Sequence, residues 1–213
     1  KQYEDSLKNK KVDHSDEDLN LVPNIPNIPN IYKGNKFRIN NHQEKALIEW
    51  SKTKFKGILA HATGSGKTVT AILGLCKLAE KEKAVAVIGV PYQSLADQWV
   101  EELTNFNINA IKCYESKNNW YLQTQQAIAK HKIRDPKENV LVTLVVVNKT
   151  LKSKSFQEVL EEVSPEELIF IGDECHRYCS IGGTSNLPNA GFKLGLSATP
   201  FGNEEFNGDK NNE

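Results

Sequence analysis

Short apolar runs alternate with amphipathic segments over most of this chain, and this alternation constrains the fold more than any other feature. The longest apolar runs, residues 84–90 (AVAVIGV) and 140–147 (VLVTLVVV), have the length of buried strands and are far too short to span a membrane. Segments with apolar residues at helical spacing lie between such runs. The pattern predicts an α/β fold, with a mostly parallel sheet and helices on both faces.

The predicted elements follow one another regularly from residue 41 to residue 198. The predicted strands are 57–62, 84–90, 109–114, 140–147, 167–172 and 193–198. The predicted helices are 41–52, 67–83, 92–106, 119–132 and 155–163. Ligands of such sheets bind beyond the carboxyl ends of the strands. Polar residues that follow a predicted strand are therefore the candidates for a functional site.

The two ends of the chain differ from its middle. Residues 1–34 combine a charged stretch with an Asn-Ile-Pro repeat, which predicts an extended linker or the tail of an upstream region. Residues 203–213 are acidic and poor in apolar side chains, which predicts a flexible tail. A single domain is predicted over residues 35–202. The sequence contains no methionine, which indicates either a piece of a longer protein or the loss of modified methionines from the sequence.

Composition restricts the partners only weakly. The 27 basic and 27 acidic side chains balance, so the net charge neither indicates nor excludes a nucleic-acid partner. The four cysteines are unevenly spaced and no secretion signal is present, so we expect reduced thiols and a cytoplasmic location. No membrane association is predicted.

The stretch HATGSGKT, residues 61–68, lies between a predicted strand and a predicted helix, which is the context of a phosphate-binding P-loop. Gly64 and Gly66 allow the backbone to curl so that its amides converge on phosphate oxygens. Lys67 can reach the β- and γ-phosphates of a nucleotide, and the Thr68 hydroxyl can coordinate Mg²⁺.

The loop departs from the strict P-loop pattern at one position, because His61 stands where the first glycine would be. A Gly-Ser turn that opens an ordinary helix is the alternative, and the Gly-Lys-Thr sequence in this context disfavours it. The residues predicted to bind nucleotide in this loop are Ala62, Thr63, Gly64, Ser65, Gly66, Lys67 and Thr68.

An acidic pair, Asp173 and Glu174, follows the apolar run LIFIG at residues 168–172. Asp173 is the predicted second ligand of Mg²⁺, and Glu174 is the predicted general base for an attacking water. Adjacent strand residues point to opposite faces, so the two acids can share a site only if the strand ends and the chain turns there. A kinase does not need a water-activating glutamate, so the pair favours hydrolysis.

Cys175, His176 and Cys179 lie directly after the acidic pair and raise two alternatives, a zinc site and a Cys-His nucleophile. Adjacent Cys-His is unusual spacing for a tetrahedral zinc site, and no fourth ligand is close in the sequence. A nucleophilic Cys175 has no supporting partner beyond His176. Asp173 and Glu174 are therefore the preferred catalytic candidates in this stretch.

Four motifs, HATGSGKT, VIGVPYQSLADQW, FIGDECH and LGLSATP, occur in the order and rough spacing of the first RecA-like domain of superfamily-2 helicases. Over residues 36–201 the sequence resembles the DExH-type (DEAD/DEAH-box-like) branch, near its restriction-enzyme and DNA-repair members. The resemblance implies a RecA-like P-loop NTPase domain that binds ATP and Mg²⁺ and moves on nucleic acid, DNA rather than RNA. The implied catalytic residues are Lys67, Asp173, Glu174 and His176, with Thr68 and Asp173 on the metal.

The resemblance also implies roles for other residues. Gln43 would recognise adenine, since an amide both donates and accepts hydrogen bonds, although Asn40 and His42 depart from the residues usual in the family. The Ser-Ala-Thr motif would couple the nucleotide site to the polymer, with His176 as the connection. The coupling residues are Ser197, Ala198 and Thr199, and the predicted nucleic-acid contacts are Pro91, Tyr92, Gln93, Gln98 and Asn148. Trp99, by its helical spacing with apolar neighbours, is predicted to be core.

The family architecture implies further partners. A second RecA-like domain, absent from this sequence, would supply the arginine finger, so we expect the first domain alone to be a weak or inactive ATPase. Other subunits of a restriction or repair complex are also implied partners. Two alternatives remain open: a P-loop NTPase or kinase that does not act on nucleic acid, and a nucleic-acid sensor that is clamped by ATP without unwinding.

Overall fold

A computed structural model describes residues 25–81, 83–135, 140–178 and 187–199. A two-stranded hairpin, β1 (Ile31–Tyr32) and β2 (Asn35–Lys36), precedes the main sheet. The strands of the main sheet are β3 (Lys56–Ala60), β4 (Ala84–Val90), β5 (Ala110–Lys112), β6 (Leu141–Val147), β7 (Leu168–Asp173) and β8 (Phe192–Ser197). The α-helices are α1 (Asn41–Lys52), α2 (Lys67–Ala79), α3 (Gln93–Thr104), α4 (Lys117–Ile133), α5 (Asn148–Leu151) and α6 (Lys154–Leu160). Short 3₁₀ turns cover Pro165–Glu167 and Cys175–Tyr178.

The main sheet has six strands in the order β3-β8-β7-β4-β6-β5, and all of its pairings are parallel. Each predicted strand is present with ends within two residues, and each predicted helix with ends within four. The predicted α/β fold is therefore confirmed. The hairpin, the short helix α5 and the two 3₁₀ turns are elements that apolar periodicity did not predict, because they are too short to show a period.

Two hydrophobic clusters lie on opposite faces of the sheet. The first contains side chains of α1, α2 and α3, among them Trp50, Ile72 and Trp99. The second contains side chains of α4 and α6, such as Ile128 and Phe156. Alternate residues of β4 enter the two clusters, as successive side chains of a strand must. This strand is buried along its whole length, which explains its continuous apolar sequence.

The carboxyl ends of the strands define one edge of the sheet, which we call the carboxyl edge. Ala60 at the end of β3 pairs with Ser197 at the end of β8. Asp173, the last residue of β7, pairs with Leu196 of β8. The ends of β4 and β6 also lie side by side. Every sequence motif that follows one of these strands is therefore carried to the same edge.

The described part of the N-terminal segment packs against the end of α3. The Asn27 backbone N–H donates to the Phe106 carbonyl (2.8 Å), and the Tyr32 hydroxyl donates to Glu102 Oε2 (2.6 Å). The rings of Tyr32 and Phe37 lie 6.0 and 5.8 Å from the ring of Phe106. Residues 25–34 thus contact the domain, whereas 1–24 and 203–213 lie outside the described residues. The domain boundaries inferred from the sequence stay a prediction.

Membrane crossing requires a long, uniformly apolar helix. In the described ranges, no helix combines the necessary length and apolar character.

Candidate functional site

The P-loop connects β3 to α2 at the carboxyl edge. Gly64 and Gly66 have φ values of 77° and 82°, in the left-handed region that side chains other than glycine rarely adopt. A Cβ atom added to Gly66 would also lie 3.0 Å from Gln43 Nε2. The backbone conformation therefore favours glycine at both positions, and at Gly66 a side chain would also crowd Gln43. The loop ends directly at the amino terminus of α2, where free N–H groups and the helix dipole favour an anion.

Lys67 lies across this loop. Its Nζ donates hydrogen bonds to the carbonyl oxygens of His61 (2.7 Å) and Ala62 (3.0 Å). Thr68 is half-buried in the first turn of α2, while Ala62 and Thr63 are exposed. Lys67 and Thr68 thus lie together at the end of the loop, where a phosphate and its metal ion need an ammonium group and a hydroxyl.

The amino terminus of α1 supports the loop from outside. His42 Nε2 lies 2.9 Å from the Ser65 carbonyl, and Gln43 Nε2 donates to the Gly66 carbonyl (3.4 Å). Gln43 Oε1 accepts from the Asn40 backbone N–H (3.0 Å), so the amide is held at both ends. His42 and Asn40, which depart from the family pattern, therefore contribute to the loop support. The adenine contact of Gln43 stays a prediction.

A polar cavity of about 450 Å³ adjoins the loop. Its walls come from the hairpin, the start of α1 and the P-loop itself. The side chains and backbone that line it include Tyr32, Phe37, Arg38, Gln43 and Gly66. The volume lies within the range of small-molecule sites, about 300–1,000 Å³. Aromatic rings can stack on a base, and guanidinium and amide groups can form hydrogen bonds with it, so the lining is chemically suited to a nucleoside.

The acidic pair lies where β7 ends. Asp173 is buried, and its two oxygens accept hydrogen bonds from the Trp99 indole N–H (Oδ2, 2.8 Å) and the Glu174 backbone N–H (Oδ1, 2.9 Å). Glu174 has a φ of 49°, so the chain leaves the strand direction immediately after Asp173. The turn that the sequence requires for the two acids to share a site is therefore present.

A polar connection runs from Glu174 to the Ser-Ala-Thr motif. His176 Nδ1 lies 3.3 Å from Glu174 Oε2 and 3.1 Å from Ser197 Oγ. Ser197 Oγ in turn accepts from the Thr199 backbone N–H (3.1 Å). Ser197 is fully buried, whereas Ala198 and Thr199 are exposed. The structure thus joins His176 with the Ser-Ala-Thr motif across β7 and β8, while the coupling role of that motif stays a prediction.

The two cysteines near the acidic pair were the candidates for a zinc site or a nucleophile. Cys175 is buried against β8, where a Cβ added to Gly195 would lie 2.9 Å from its Sγ. Cys179 lies outside the described residues. Among the residues that the structure describes, no group of three or more His, Cys, Asp or Glu side chains is placed to hold a metal ion. Within that part of the chain, Cys175 serves as a packing residue.

Four of the five predicted nucleic-acid contacts lie at the carboxyl edge. Pro91, Tyr92 and Gln93 follow β4, and Asn148 follows β6. Tyr92 is 51% exposed, which leaves its ring free to stack on a base. Gln98 is exposed on α3, farther from the edge than the other four. Their contact with a polymer stays a prediction.

Trp99 has a contact with the acidic pair that sequence reasoning missed. The side chain is core, as its spacing predicts, with 1% exposure. It also orients Asp173 through the indole N–H. A buried indole N–H needs an acceptor, so a tryptophan within a predicted core face was the available signal. Nothing in the sequence identified the acceptor, which lies 74 residues away.

The parallel sheet and the motifs at its carboxyl edge define the class: this is an α/β domain with the RecA-like fold. The chain belongs to the family described as Type III restriction enzyme, res subunit, whose sequence model matches residues 36–202. The resemblance inferred from the four motifs is thus confirmed.

A curated relative, the endonuclease subunit of the Type I restriction enzyme SsaAORF53P from Staphylococcus saprophyticus, is 30% identical over 139 residues. The aligned region is 64% of this chain and 14% of the relative, so the chain spans only a small part of the relative's length.

Solved structures share the fold at low sequence identity. A nuclease-deletion mutant of the Type ISP restriction-modification enzyme LlaGI matches with a TM-score of 0.58 and 17% identity, over 77% of this chain and 18% of that one. The SWI2/SNF2 ATPase core of Sulfolobus solfataricus matches with a TM-score of 0.54 and 18% identity, over 79% of this chain and 33% of that one. The UvsW helicase of bacteriophage T4 matches with a TM-score of 0.53 and 20% identity, over 86% of this chain and 58% of that one. At these identities the likeness shows the fold alone.

Proposed function

We propose that this chain is the ATP-binding motor domain of a helicase or translocase, which couples Mg-ATP hydrolysis to movement on nucleic acid, DNA in preference to RNA. One observation carries the proposal. The P-loop, the Asp173–Glu174 turn and the Ser-Ala-Thr motif follow β3, β7 and β8, which are adjacent in the sheet. A phosphate loop, a pair of acids and a coupling motif thus meet at one edge, as nucleotide hydrolysis requires.

The residues present fit a bound nucleotide. The loop amides and Lys67 would hold the phosphates, and the cavity beside Gln43 has the size and polarity for the nucleoside. Lys67 Nζ rests on two loop carbonyls, so it needs only to exchange those acceptors for phosphate oxygens. Binding therefore exchanges hydrogen bonds at a loop whose turn the two glycines already define.

A magnesium ion would be held by the Thr68 hydroxyl and the Asp173 carboxylate, and when bound it neutralises charge on the phosphates. Asp173 is prepared for this role because Trp99 and the Glu174 backbone direct its oxygens. Buried carboxylates that are oriented by fixed donors reorganise little on binding.

Glu174 is the proposed general base. Its side chain is 40% exposed beside the buried Asp173, so it can meet a water molecule. It would take the proton of that water as the oxygen attacks the γ-phosphorus and the bond to the leaving diphosphate breaks. The neighbouring His176 contacts both Glu174 and Ser197, so a change at the base is transmitted to the coupling motif.

The polymer partner follows from the carboxyl edge and from the relatives. Tyr92, Gln93 and Asn148 lie at the same edge as the acids and would contact the strand. LlaGI is described in complex with a DNA substrate mimic and the SWI2/SNF2 core with double-stranded DNA. We therefore place DNA first among polymers. A second RecA-like domain and other subunits of a restriction or repair complex are the proposed protein partners.

The test is the ATPase activity of the full-length protein with single-stranded DNA, double-stranded DNA and RNA in turn. We expect phosphate release to rise severalfold with DNA. The absence of stimulation by every polymer would contradict the motor proposal and favour a P-loop enzyme that does not act on nucleic acid. Stimulation without strand separation would favour a translocase or an ATP-clamped sensor.

Replacement of Trp99 by phenylalanine removes the donor to Asp173 and keeps an aromatic ring in the core. A hydrogen bond to a charged group contributes about 1.5–3 kcal/mol, so its loss frees the carboxylate to leave the metal-binding orientation. We expect the Mg²⁺ concentration for half-maximal ATPase activity to rise roughly tenfold, for which about 1.4 kcal/mol suffices. A magnesium titration of phosphate release measures this shift.

Trp120→Phe is the matched control. Trp120 is also buried, at 4% exposure, but packs against Phe156 in the cluster on the other face of the sheet. The control should lose stability comparably and keep the parent's magnesium requirement. Equal magnesium curves for the two variants would show that the indole N–H does not orient Asp173.

A further inference from the structure

The 3₁₀ turn Cys175–Tyr178 carries His176 and directly follows Glu174, so its position decides where both side chains lie. A 3₁₀ helix has about three residues per turn, so residues three apart share a face. Cys175 and Tyr178 are accordingly both buried, at 7% and 4% exposure, while Arg177 is exposed. The turn is therefore amphipathic, with a two-residue anchor on the sheet side.

The anchor rests on a strip of sheet that has no side chains. Gly89 of β4 pairs with Gly172 of β7, and Gly172 pairs with Gly195 of β8. A Cβ atom at Gly89 would lie 2.9 Å from the Tyr178 Oη, and one at Gly172 would lie 3.1 Å from its Cε2. The ring of Tyr178 thus occupies the space that side chains on two neighbouring strands would fill.

No hydrogen bond to a described residue accounts for the position of the Tyr178 hydroxyl. Its Oη is buried and has no partner among the described residues. Burial, with the nearby charge of Asp173, raises the pKa of Tyr178 above its ordinary value, so the hydroxyl stays neutral. A buried hydroxyl without a partner is unfavourable. The Tyr178 Oη lies close to where a side chain at position 89 would place its Cβ, so its position depends on the shape of the site.

The turn needs such an anchor because the residue that precedes it is strained. Glu174 has a φ of 49°, a conformation that costs free energy for a residue with a side chain and persists only when the surroundings impose it. The Glu174 carbonyl accepts from the Arg177 N–H (3.0 Å), which closes the turn on itself but does not attach it to the sheet. Attachment comes from His176 at Ser197 and from the two buried anchor residues.

We propose that Tyr178 is a positioning residue, which holds Glu174 and His176 in place by fitting its ring over Gly89 and Gly172. This inference rests on the proposed function for its effect on turnover. Its structural half, that contact with the end of β4 holds the turn, is independent of any activity. Because β4 continues into Pro91 and Tyr92, the same contact joins the proposed polymer-binding segment to the turn that bears the base.

The test compares Gly89→Ala, Tyr178→Phe and the double variant in the full-length protein. The alanine Cβ would press on the hydroxyl at 2.9 Å, whereas phenylalanine lacks that atom. We expect Gly89→Ala to lower kcat of the ATPase at least tenfold and to leave nucleotide affinity within twofold of the parent. Tyr178→Phe should be close to the parent. The double variant should recover kcat to within about threefold, with the ring of Phe170, 3.2 Å from the new Cβ, giving way slightly.

A second readout does not depend on ATP. The Glu174 amide donates to the Asp173 carboxylate and the Arg177 amide to the Glu174 carbonyl. Hydrogen exchange of these two amides should be roughly tenfold faster in Gly89→Ala and return toward the parent in the double variant. An unchanged exchange rate in Gly89→Ala, or no recovery in the double variant, would overturn the proposal. A parent without ATPase activity that shows the exchange pattern would instead contradict the proposed function alone.

If Gly89→Ala does not fold, Tyr178→Leu replaces it, with Phe156→Leu as the control for the loss of a buried aromatic ring on the same face. Tyr178→Leu should accelerate exchange of the turn and lower kcat, and Phe156→Leu should do neither beyond its effect on global stability. Equal effects of the two leucine variants on the turn would overturn the positioning role.

Discussion

Replacement of Glu174 by glutamine is expected to stop ATP turnover while nucleotide binding persists. Glutamine keeps the size of the side chain and its place beside His176, but it cannot take a proton from water. General-base catalysis contributes typically 10²–10⁴-fold, so we expect a loss of about that size in kcat. Phosphate release measures turnover, and equilibrium binding of a fluorescent ATP analogue measures affinity, which should stay within a few-fold of the parent.

Glu158→Gln is the matched control for this variant. Glu158 is exposed on α6 and pairs with Lys154 at the surface, where ion pairs contribute little. It should hydrolyse ATP at the parent's rate. If Glu174→Gln did so as well, the assignment of the general base would be wrong, and the acid pair would have to act through Asp173 alone.

Lys67→Ala is expected to abolish both nucleotide binding and turnover. The ammonium group is the cation that the loop would present to the phosphates, and removal of one charge-stabilising donor from a site costs about 10²–10³-fold in rate. The loop also loses the two hydrogen bonds from Nζ to the carbonyls of His61 and Ala62. Binding of the fluorescent analogue and phosphate release should both fall by about 100-fold or more, since a hydrogen bond to a charged group contributes up to about 3 kcal/mol.

Lys77→Ala tests whether charge alone explains such a loss. Lys77 lies in the last turn of the same helix, α2, and pairs with Glu80 (3.0 Å) at the surface. It should bind and hydrolyse ATP as the parent does. Undiminished nucleotide binding by Lys67→Ala would show that the loop is not the phosphate site, and the proposal would fail at its first step.

The class of fold was predictable from the sequence because burial leaves a periodic signal. β4 and β6 are buried on both faces, so their sequences are apolar except at Thr143, and the surrounding helices alternate with them. The parallel arrangement then carries residues that follow strands to a common edge, whichever strands are neighbours. For this reason the P-loop, the acid pair and the Ser-Ala-Thr motif could be assigned to one site before their strands were ordered.

The connections within that site were not predictable in the same way. The hydrogen-bond partner of Trp99 is Asp173, which lies 74 residues away. The ring of Tyr178 packs over Gly89 of β4, which is also distant in the sequence. Periodicity reports which face of an element is buried, but not which atom of a distant element meets it. Similarly, the sequence marked Gln43 through family resemblance, whereas its hydrogen bond to the Gly66 carbonyl depends on how α1 packs beside the loop.

The sequence by itself determined the alternation of strands and helices, the glycines that allow the phosphate loop, and the residue types that face the carboxyl edge. These properties are local, because each depends on the conformational range or polarity of neighbouring residues. Only the tertiary structure decided the order β3-β8-β7-β4-β6-β5, the indole that directs Asp173 and the glycine strip that receives Tyr178. These are contacts between distant segments, and their geometry is set by packing of the whole domain.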